Sequence, residues 1–506
     1  MGTVTTVIQY ILGLGASVVL PIIIFLLSLF FRMKPGKAIR AALTIGIGFI
    51  GINLVIGLLT STLGPAAQKM IENTGLNLPI IDAGWPVAAA ISFGTAKVVP
   101  WIFILGIAIN LGMIALKWTS TLNVDMWNFW HFIFSSAFVY IATGNFWLGL
   151  LIGLITLVVV LKLADICAPV IQDYYKIPGV TTAHTDTVSW APVGWCLNKM
   201  LDHVPGFRHN KMTPEYIQDK FGSWAEPMVM GTILGAVIGL LAYFPDMTGG
   251  AWGTAIKGIV LVGISMGGVM LLLPRMVALL MEGLIPLSDA AQEWIKSRYP
   301  DRELNIGLDA AILVGYPANM SVAIILVPIT LALGVLMSYL HLNQMLPFAD
   351  LADTPFFAVW ATTWCRGNIA RGTAIGTFFV ACMLTIGTFM APATTILAHQ
   401  ANFTIPQNAS QISSIDSGAH LIAYFFAFFF VFAQAKAYGT AFIVWSIILL
   451  AIALVCYVTF FAHVIRGGKP GIEDREQYMS ADELEAEEEE RKALAEAEAQ
   501  GAGAGW

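Results

Sequence analysis

Two aspartates, Asp82 and Asp309, occupy matching settings far apart in the chain. Each is a lone acid in an apolar run shortly after a Leu-Asn pair, in LNLPIIDAG and LNIGLDAA. A carboxylate in such a run is costly to bury unless a role or a partner offsets it, which makes both residues functional candidates. Gly84 and Pro86 follow the first acid, and Gly307, Gly315 and Pro317 flank the second, so regular helix is expected to break at both places. Broken backbone at membrane depth is tolerated only where it is buried or lines a cavity. A carboxylate there can accept paired, charge-assisted hydrogen bonds from vicinal hydroxyls. The alternative is that each Asp caps a helix or hairpin, and the two roles can coexist.

Histidines supply the second group of candidates. His131 lies in NVDMWNFWHFIFSS, where Trp127 and Trp130 offer faces on which a sugar ring can stack. His184 lies in TTAHTDTVSW, surrounded by Thr182, Thr185, Asp186 and Thr187, a density of short polar groups that suits a re-entrant tip holding a solvated ligand. Asp186 adds an acceptor, and TDTVS is echoed later by Ile415-Asp416-Ser417. The alternative for either histidine is a satisfied packing residue. His203, His209, His341 and His463 fall in loops or near span ends and read as ordinary. Cys365 and Arg371 have the C-x5-R spacing of a phosphate-cradling loop, but follow the membrane-like run FFAVWATTW rather than a strand, so a phosphocysteine role is rejected. The five cysteines show no paired or metal-ligand spacing and read as apolar filler. No Walker-type loop occurs, so an ion gradient or a partner's chemistry must drive any transport; no cofactor or metal is expected.

The elements that must position these groups are membrane helices. The apolar fraction is 57% and the charged fraction 11%, with a mean hydropathy of +0.76. Soluble domains run at about 45–50% apolar and about 25% charged. Apolar runs near or above the ~18–20 residues that cross a bilayer fall at about 8–31, 41–63, 99–116, 146–163, 226–244, 256–283, 319–339, 373–398, 419–435 and 440–462, with weaker ones near 124–143 and 355–370. Residues 1–7 lack the basic start of a signal peptide, so the first span is expected to stay. Basic clusters at Arg32–Arg40, Lys199–Lys220, Lys296–Arg302 and Arg466–Lys469 are all assigned to the cytoplasm by the positive-inside rule. That puts the N-terminus outside and the C-terminus inside, with an odd number of crossings, counted as eleven.

The chain is also duplicated. GKAIRAALTIGIG from Gly36 matches GTAIKGIVLVGIS from Gly253, AAQKMIEN matches AAQEWIKS, and TGNFWLGLLIG matches RGNIARGTAIG. The first copy starts beside a basic cluster and the second after FPDMTGGAW, which has none, so the copies are expected to run in opposite directions, with a site near the midplane. The resulting division is a first helix at 1–35, repeat one at 36–196, a basic amphipathic linker at 197–225, a connecting helix at 226–252, repeat two at 253–435, a last helix at 436–469 and an acidic tail at 470–506. The frame aligns His131 with Thr354 and His184 with Ser414, so the first copy alone supplies the histidines. The tail carries 12 acids and 3 bases, a net of −9 against −6 for the whole chain, and has no apolar stripe; a solvated or disordered cytoplasmic tail is expected.

Several segments together, IGIGFIGINLVIGL, LGPAAQKM, LNLPIIDAGWP, NVDMWNFWH, EYIQDKFGSWAEP, LNIGLDAAILVGY and NQMLPFADLA, carry a resemblance. From about residue 5 to about 465 the chain resembles the galactitol-type membrane permease (IIC) components of the bacterial sugar phosphotransferase system. The more distant ascorbate permeases have motifs that fall on Asp82, His131, His184 and Asp309. The resemblance implies an all-α bacterial cell-membrane protein with re-entrant hairpins, forming a homodimer from a scaffold domain and a substrate-carrying core domain that moves like an elevator. It implies a galactitol-like polyol or sugar as substrate, lined by Asp82, His131, His184 and Asp309, with phosphorylation by a phosphocysteine IIB protein recharged by a phosphohistidine IIA. No nucleic acid is implied. The chain departs from that family's pattern at Asp186, at Tyr316, where a histidine is expected, and in its longer acidic tail. Two rival readings remain at this point: an ion-coupled polyol transporter without phosphorylation, and an intramembrane aspartyl hydrolase using Asp82 and Asp309 as a dyad. Against the second, the later acid sits in G-L-D rather than G-x-G-D.

Overall fold

Among the described residues the long apolar runs lie on helices. The computed structural model describes residues 16–74, 78–94, 97–125, 128–208, 210, 212, 214, 227–298, 304–347, 349–400, 410–435, 438–479 and 484. The helices are α1 (Ala16–Phe30), α2 (Pro35–Thr74), α3 (Trp85–Gly94), α4 (Val99–Ala115), α5 (Phe129–Thr143), α6 (Phe146–Tyr175), α7 (Thr185–Val188), α8 (Ala191–Leu201), α9 (Pro227–Thr248), α10 (Trp252–Arg298), α11 (Ala311–Val314), α12 (Pro317–Tyr339), α13 (Thr354–Thr363), α14 (Ile369–Gln400), α15 (Ile415–Ala419), α16 (Leu421–Ala435), α17 (Thr440–Ile465) and α18 (Arg475–Tyr478). Six helical segments among the described residues are long and apolar enough to cross a membrane: Phe146–Tyr175, Gly231–Thr248, Trp252–Val269, Pro317–Tyr339, Ile369–Gln400 and Thr440–Ile465. Shorter apolar helices occupy Val99–Ala115, Phe129–Thr143 and Leu421–Phe430. The protein is a mostly helical, multi-pass membrane protein. Residues 1–15 of the first anticipated span, and most of the basic linker at 197–225 beyond residue 208, lie outside the described residues.

The chain is mostly helical, as expected, and among the described residues six short extended segments also form two parallel sheets: β1 (Ile80–Asp82), β2 (Thr121–Asn123), β3 (Val180–Thr182), β4 (Asn305–Leu308), β5 (Met345–Leu346) and β6 (Gln411–Ser413). The strand orders are β5-β1-β6 and β2-β4-β3. Where helices break inside an apolar environment, the freed amides and carbonyls must find partners within the protein, and pairing three such breaks side by side provides them. The middle strand of each sheet comes from one half of the chain and both flanking strands from the other.

Helices α1, α2, α9 and α10 pack as one bundle. Glycines permit the close approach of α9 to α10: a Cβ at Gly239 would lie 2.8 Å from the Ile259 Cα. Arg40 of α2 pairs with Glu282 of α10 at 3.6 Å, and Lys69 near the other end of α2 pairs with Asp246 of α9. Leu43, Ile47 and Leu54 of α2 and Ile256, Val260 and Ile264 of α10 are exposed, as expected of an apolar surface turned to lipid or to another chain. Helices α4, α6, α12 and α14 pack against strands of the two sheets.

The tail is corrected in its first ten residues. Past α17 the chain turns at Gly467 and Gly471, both with positive φ, and folds back onto the ends of α6, α8 and α14. Arg475 donates to Asp173 Oδ1 at 3.0 Å, Lys199 pairs with Asp474, and the Tyr478 hydroxyl donates to Asp202 Oδ2 at 2.8 Å. Charged and aromatic groups, rather than an apolar stripe, hold this segment, which is why the hydropathy pattern did not reveal it. Burial and the neighbouring Asp202 push the Tyr478 phenol above its ordinary range, so it remains a hydrogen-bond donor at physiological pH. Arg371 anchors the cluster from below. It is buried, donates to Asn198 Oδ1 at 2.9 Å, to the Asn198 carbonyl at 2.6 Å and to Asp202 Oδ1 at 2.5 Å, and its guanidinium lies 5.1 Å from the centre of the Tyr478 ring. An Arg371→Ala variant is expected to lose about 3 kcal/mol of stability by stranding these acceptors, seen as a lower midpoint in thermal unfolding of the detergent-solubilised protein. Tyr478→Phe is expected to cost about 1 kcal/mol in the same assay.

Candidate functional site

Both sequence-singled aspartates stand at strand ends. Asp82 closes β1, and Asp309 follows β4 directly. Each carboxylate accepts the amide hydrogen two residues ahead, from Gly84 at 3.1 Å and from Ala311 at 2.8 Å, a turn that aspartate favours where a chain leaves a strand. Capping is therefore part of both roles. Beyond that turn the two acids differ. Asp82 is buried, and its second oxygen accepts the Asp350 amide at 3.0 Å. The Asp350 carboxylate in turn accepts the amides of Trp85 at 2.7 Å and Asp416 at 3.0 Å. The Asp309 side chain keeps 16% of its surface open, and its second oxygen accepts from Asn128 at 2.9 Å. The same Asn128 amide donates to Asp125 at 2.8 Å.

Three imidazoles run in a line beside Asp309. His131, on the first turn of α5, places Nε2 at 3.1 Å from His184 Nε2 and Nδ1 at 2.9 Å from His420 Nε2. His420 Nδ1 donates to the Asp416 carbonyl at 2.9 Å. At the other end His184 Nδ1 lies 3.0 Å from Asp186 Oδ1 and 3.7 Å from Asp309 Oδ1. Strand β3 delivers His184 and Asp186, while β6 delivers Ser414 and Asp416. Asp186 and Asp416 are each the second residue of a short helix, and their carboxyls adjoin. Gly418 lets the second of these helices lie on α14, since a Cβ there would fall 1.9 Å from the Met383 carbonyl oxygen. His184 Nδ1, Asp186 Oδ1, Thr182 Oγ1, Thr185 Oγ1 and Asp416 Oδ2 are buried polar atoms that make no well-directed hydrogen bond within the described residues.

The structure thus brings His131, His184, Asp186 and Asp309 together. Asp82 stands apart and is linked toward them through Asp350 and Asp416. Trp130 stacks on His131 at 3.9 Å and is buried, so an imidazole occupies the face that a sugar was expected to use; Trp127 lies outside the described residues. Tyr316 meets Tyr174 and Tyr175 edge-on. The rejected phosphate loop is accounted for: Arg371 is consumed by Asn198 and Asp202, and the Cys365 thiol donates to the Ala361 carbonyl at 3.2 Å. Two overlapping triads, His131–His184–Asp186 and His131–Asp416–His420, have ligand atoms within 4.8 Å of one another, although both nitrogens of His131 are engaged with imidazoles. Sequence reasoning missed His420, Asp350, Asp125 and Asn128. A signal for His420 existed, because it lies one helical turn after Asp416 in the segment that echoes TDTVS.

Residues 10–408 match the family profile of the PTS system sugar-specific permease component. The chain belongs to that family. It is 34% identical over 418 residues to the PTS system galactitol-specific EIIC component of Escherichia coli (strain K12), covering 83% of this chain and 89% of the relative. The same figures hold for the Escherichia coli O157:H7 protein of that description. A putative permease IIC component of strain K12 is 33% identical over 413 residues, covering 81% of this chain and 91% of the relative. A IIC permease component is the membrane-translocating subunit of its system and has no catalytic role of its own. His420 falls beyond the stretch that the family profile matches.

The contrast between the two aspartates is testable by stability alone. Asp82→Ala is expected to lose about 2 kcal/mol by leaving the buried Asp350 amide unpaired, whereas Asp309→Asn, which keeps an acceptor for Ala311, is expected to stay within about 1 kcal/mol of the parent. Thermal unfolding of the two purified variants reads the difference.

Proposed function

We propose that this permease component takes up galactitol or a related polyol and presents it for phosphorylation by a phosphocysteine IIB protein, itself recharged by a phosphohistidine IIA. The observation that carries the reading is the meeting of His184, Asp186 and Asp309 at the ends of two strands, with buried polar atoms beside them. Vicinal hydroxyls are both donors and acceptors. Asp309 offers an acceptor, while the His184–Asp186 pair offers a proton-bearing partner, so one diol can bind both ends. His131 supports this arrangement through His184. Asp82 acts through Asp350, holding the hairpin that carries Asp416.

The architecture we propose has eleven crossings, with the N-terminus outside and the C-terminus in the cytoplasm, in two inverted repeats. The matching make-up of the two sheets supports the repeat reading. The contacts of Arg40 with Glu282 and of Lys69 with Asp246 support opposite directions for the long helices α2 and α10. Their bundle, with its exposed apolar faces, suits a dimerising scaffold, and the helices around the sheets suit a substrate-carrying core that moves as an elevator. A neutral polyol crossing with such a core needs no ion, and phosphorylation on arrival traps it.

Uptake of a polyol panel into vesicles, with and without phosphorylated IIB, tests the reading. Galactitol phosphate is expected inside only when IIB is present. Asp309→Asn and, separately, His184→Ala are expected to lower uptake about a hundredfold while the dimer remains folded, the loss of roughly two charge-assisted hydrogen bonds. Accumulation of unmodified polyol driven by a proton or sodium gradient would sink the phosphotransferase reading, and normal uptake by both variants would sink the site assignment.

A further inference from the structure

The proton positions along the three imidazoles can be counted from one fixed end. A backbone carbonyl only accepts, so the 2.9 Å contact to the Asp416 carbonyl obliges His420 to carry its hydrogen on Nδ1. His420 is fully buried against the rings of Trp130 and Phe134, a setting that suits a neutral ring. Its Nε2 is then a lone pair, and the hydrogen in the 2.9 Å contact belongs to His131 Nδ1. The 3.1 Å contact between His131 Nε2 and His184 Nε2 holds one more hydrogen. With all three rings neutral that hydrogen comes from His184, whose Nδ1 is then left without a hydrogen 3.0 Å from Asp186 Oδ1 and 3.7 Å from Asp309 Oδ1, in line with neither. An electron-rich nitrogen so close to a carboxylate is repelled even when the two are not aligned. The line therefore carries one proton beyond neutral rings and ionised acids, shared among His131, His184 and Asp186.

We propose that His420 is a positioning residue of the substrate site: by holding the hydrogen of His131 on Nδ1, it directs the additional proton to the His184–Asp186 end, where it meets Asp309 and a substrate hydroxyl. The inference rests on the reading of His184, Asp186 and Asp309 as the polyol site. The groups facing the line are Asp186, Asp309 and, at longer range, Asp125 around His184; Trp130 and Asp186 around His131; and Trp130, Phe134 and Asp416 around His420. With that end protonated, a hydroxyl can accept from His184 or Asp186 while donating to Asp309. A merely structural His420 would leave the tautomer of His131 free.

The test uses the full chain in lipid nanodiscs with nitrogen-15 histidine, the His131 signals being assigned by their absence from a His131→Gln spectrum. The parent is expected to show His131 protonated on Nδ1. His420→Phe, which keeps a ring but removes the acceptor, is expected to move that hydrogen to Nε2 and to weaken galactitol binding about tenfold, the worth of one hydrogen bond. His420→Gln, which restores an acceptor, is expected to keep Nδ1 protonated and to bind within about threefold of the parent. Should His420→Phe fail to fold, the parent and the Gln variant still decide the matter. A parent His131 without hydrogen on Nδ1 overturns the proposal, as does a Phe variant with unchanged tautomer or unchanged affinity. If the parent binds no polyol while the tautomer responds as expected, the substrate reading fails and the control of His131 by His420 stands.

Discussion

Extended backbone inside a membrane protein must have its hydrogen bonds made by the protein itself, and two three-stranded parallel sheets make them here. Everything at the candidate site depends on that arrangement. The strands are only two to four residues long, yet they fix where Asp82, Asp309, His184 and Asp416 emerge, because each of these residues closes a strand or follows one within three positions. Helices alone could not bring four chain breaks to one place with their amides satisfied.

The two carboxylates show how equivalent positions acquire different work. Both make the same local turn. Asp82 then spends its second oxygen on the Asp350 amide and becomes part of the frame, while Asp309 keeps an open edge and accepts from the Asn128 side chain. The interior around them holds several acids close together. Backbone amides serve Asp82 and Asp350, and imidazoles serve Asp186 and Asp309. The protein thus separates framing acids, bound by the main chain, from acids that face titratable partners.

Much of this was legible before any coordinates. The apolar runs placed the helices because a membrane span is a long, one-signal feature, and Asp309, His131, His184 and Asp186 stood out as candidates because polar residues are rare in such runs. The sheets were not legible: strands of three residues in apolar surroundings have no alternation to betray them. His420 was hidden because it opens the run LIAYFFAFFF and reads as the edge of a span. Asp350 sits in a loop-like stretch, NQMLPFADLA, where an acid is unremarked. The packed root of the tail escaped notice because its contacts are ion pairs and a buried phenol, which leave no hydropathy pattern.

The interlocked strand order bears on how the chain can be made. As the ribosome releases it, β1 emerges with no strand to pair with, and its sheet is complete only after β6 has followed nearly the whole of the second half. The other sheet closes earlier, when β4 slides between two strands already present. Assembly of the interior therefore has a built-in sequence, and a chain released early, before β6, has its helices but an unfinished sheet around Asp82. Two separately translated halves would each lack a middle strand's partners, and only by meeting in the same bilayer could they supply them to each other.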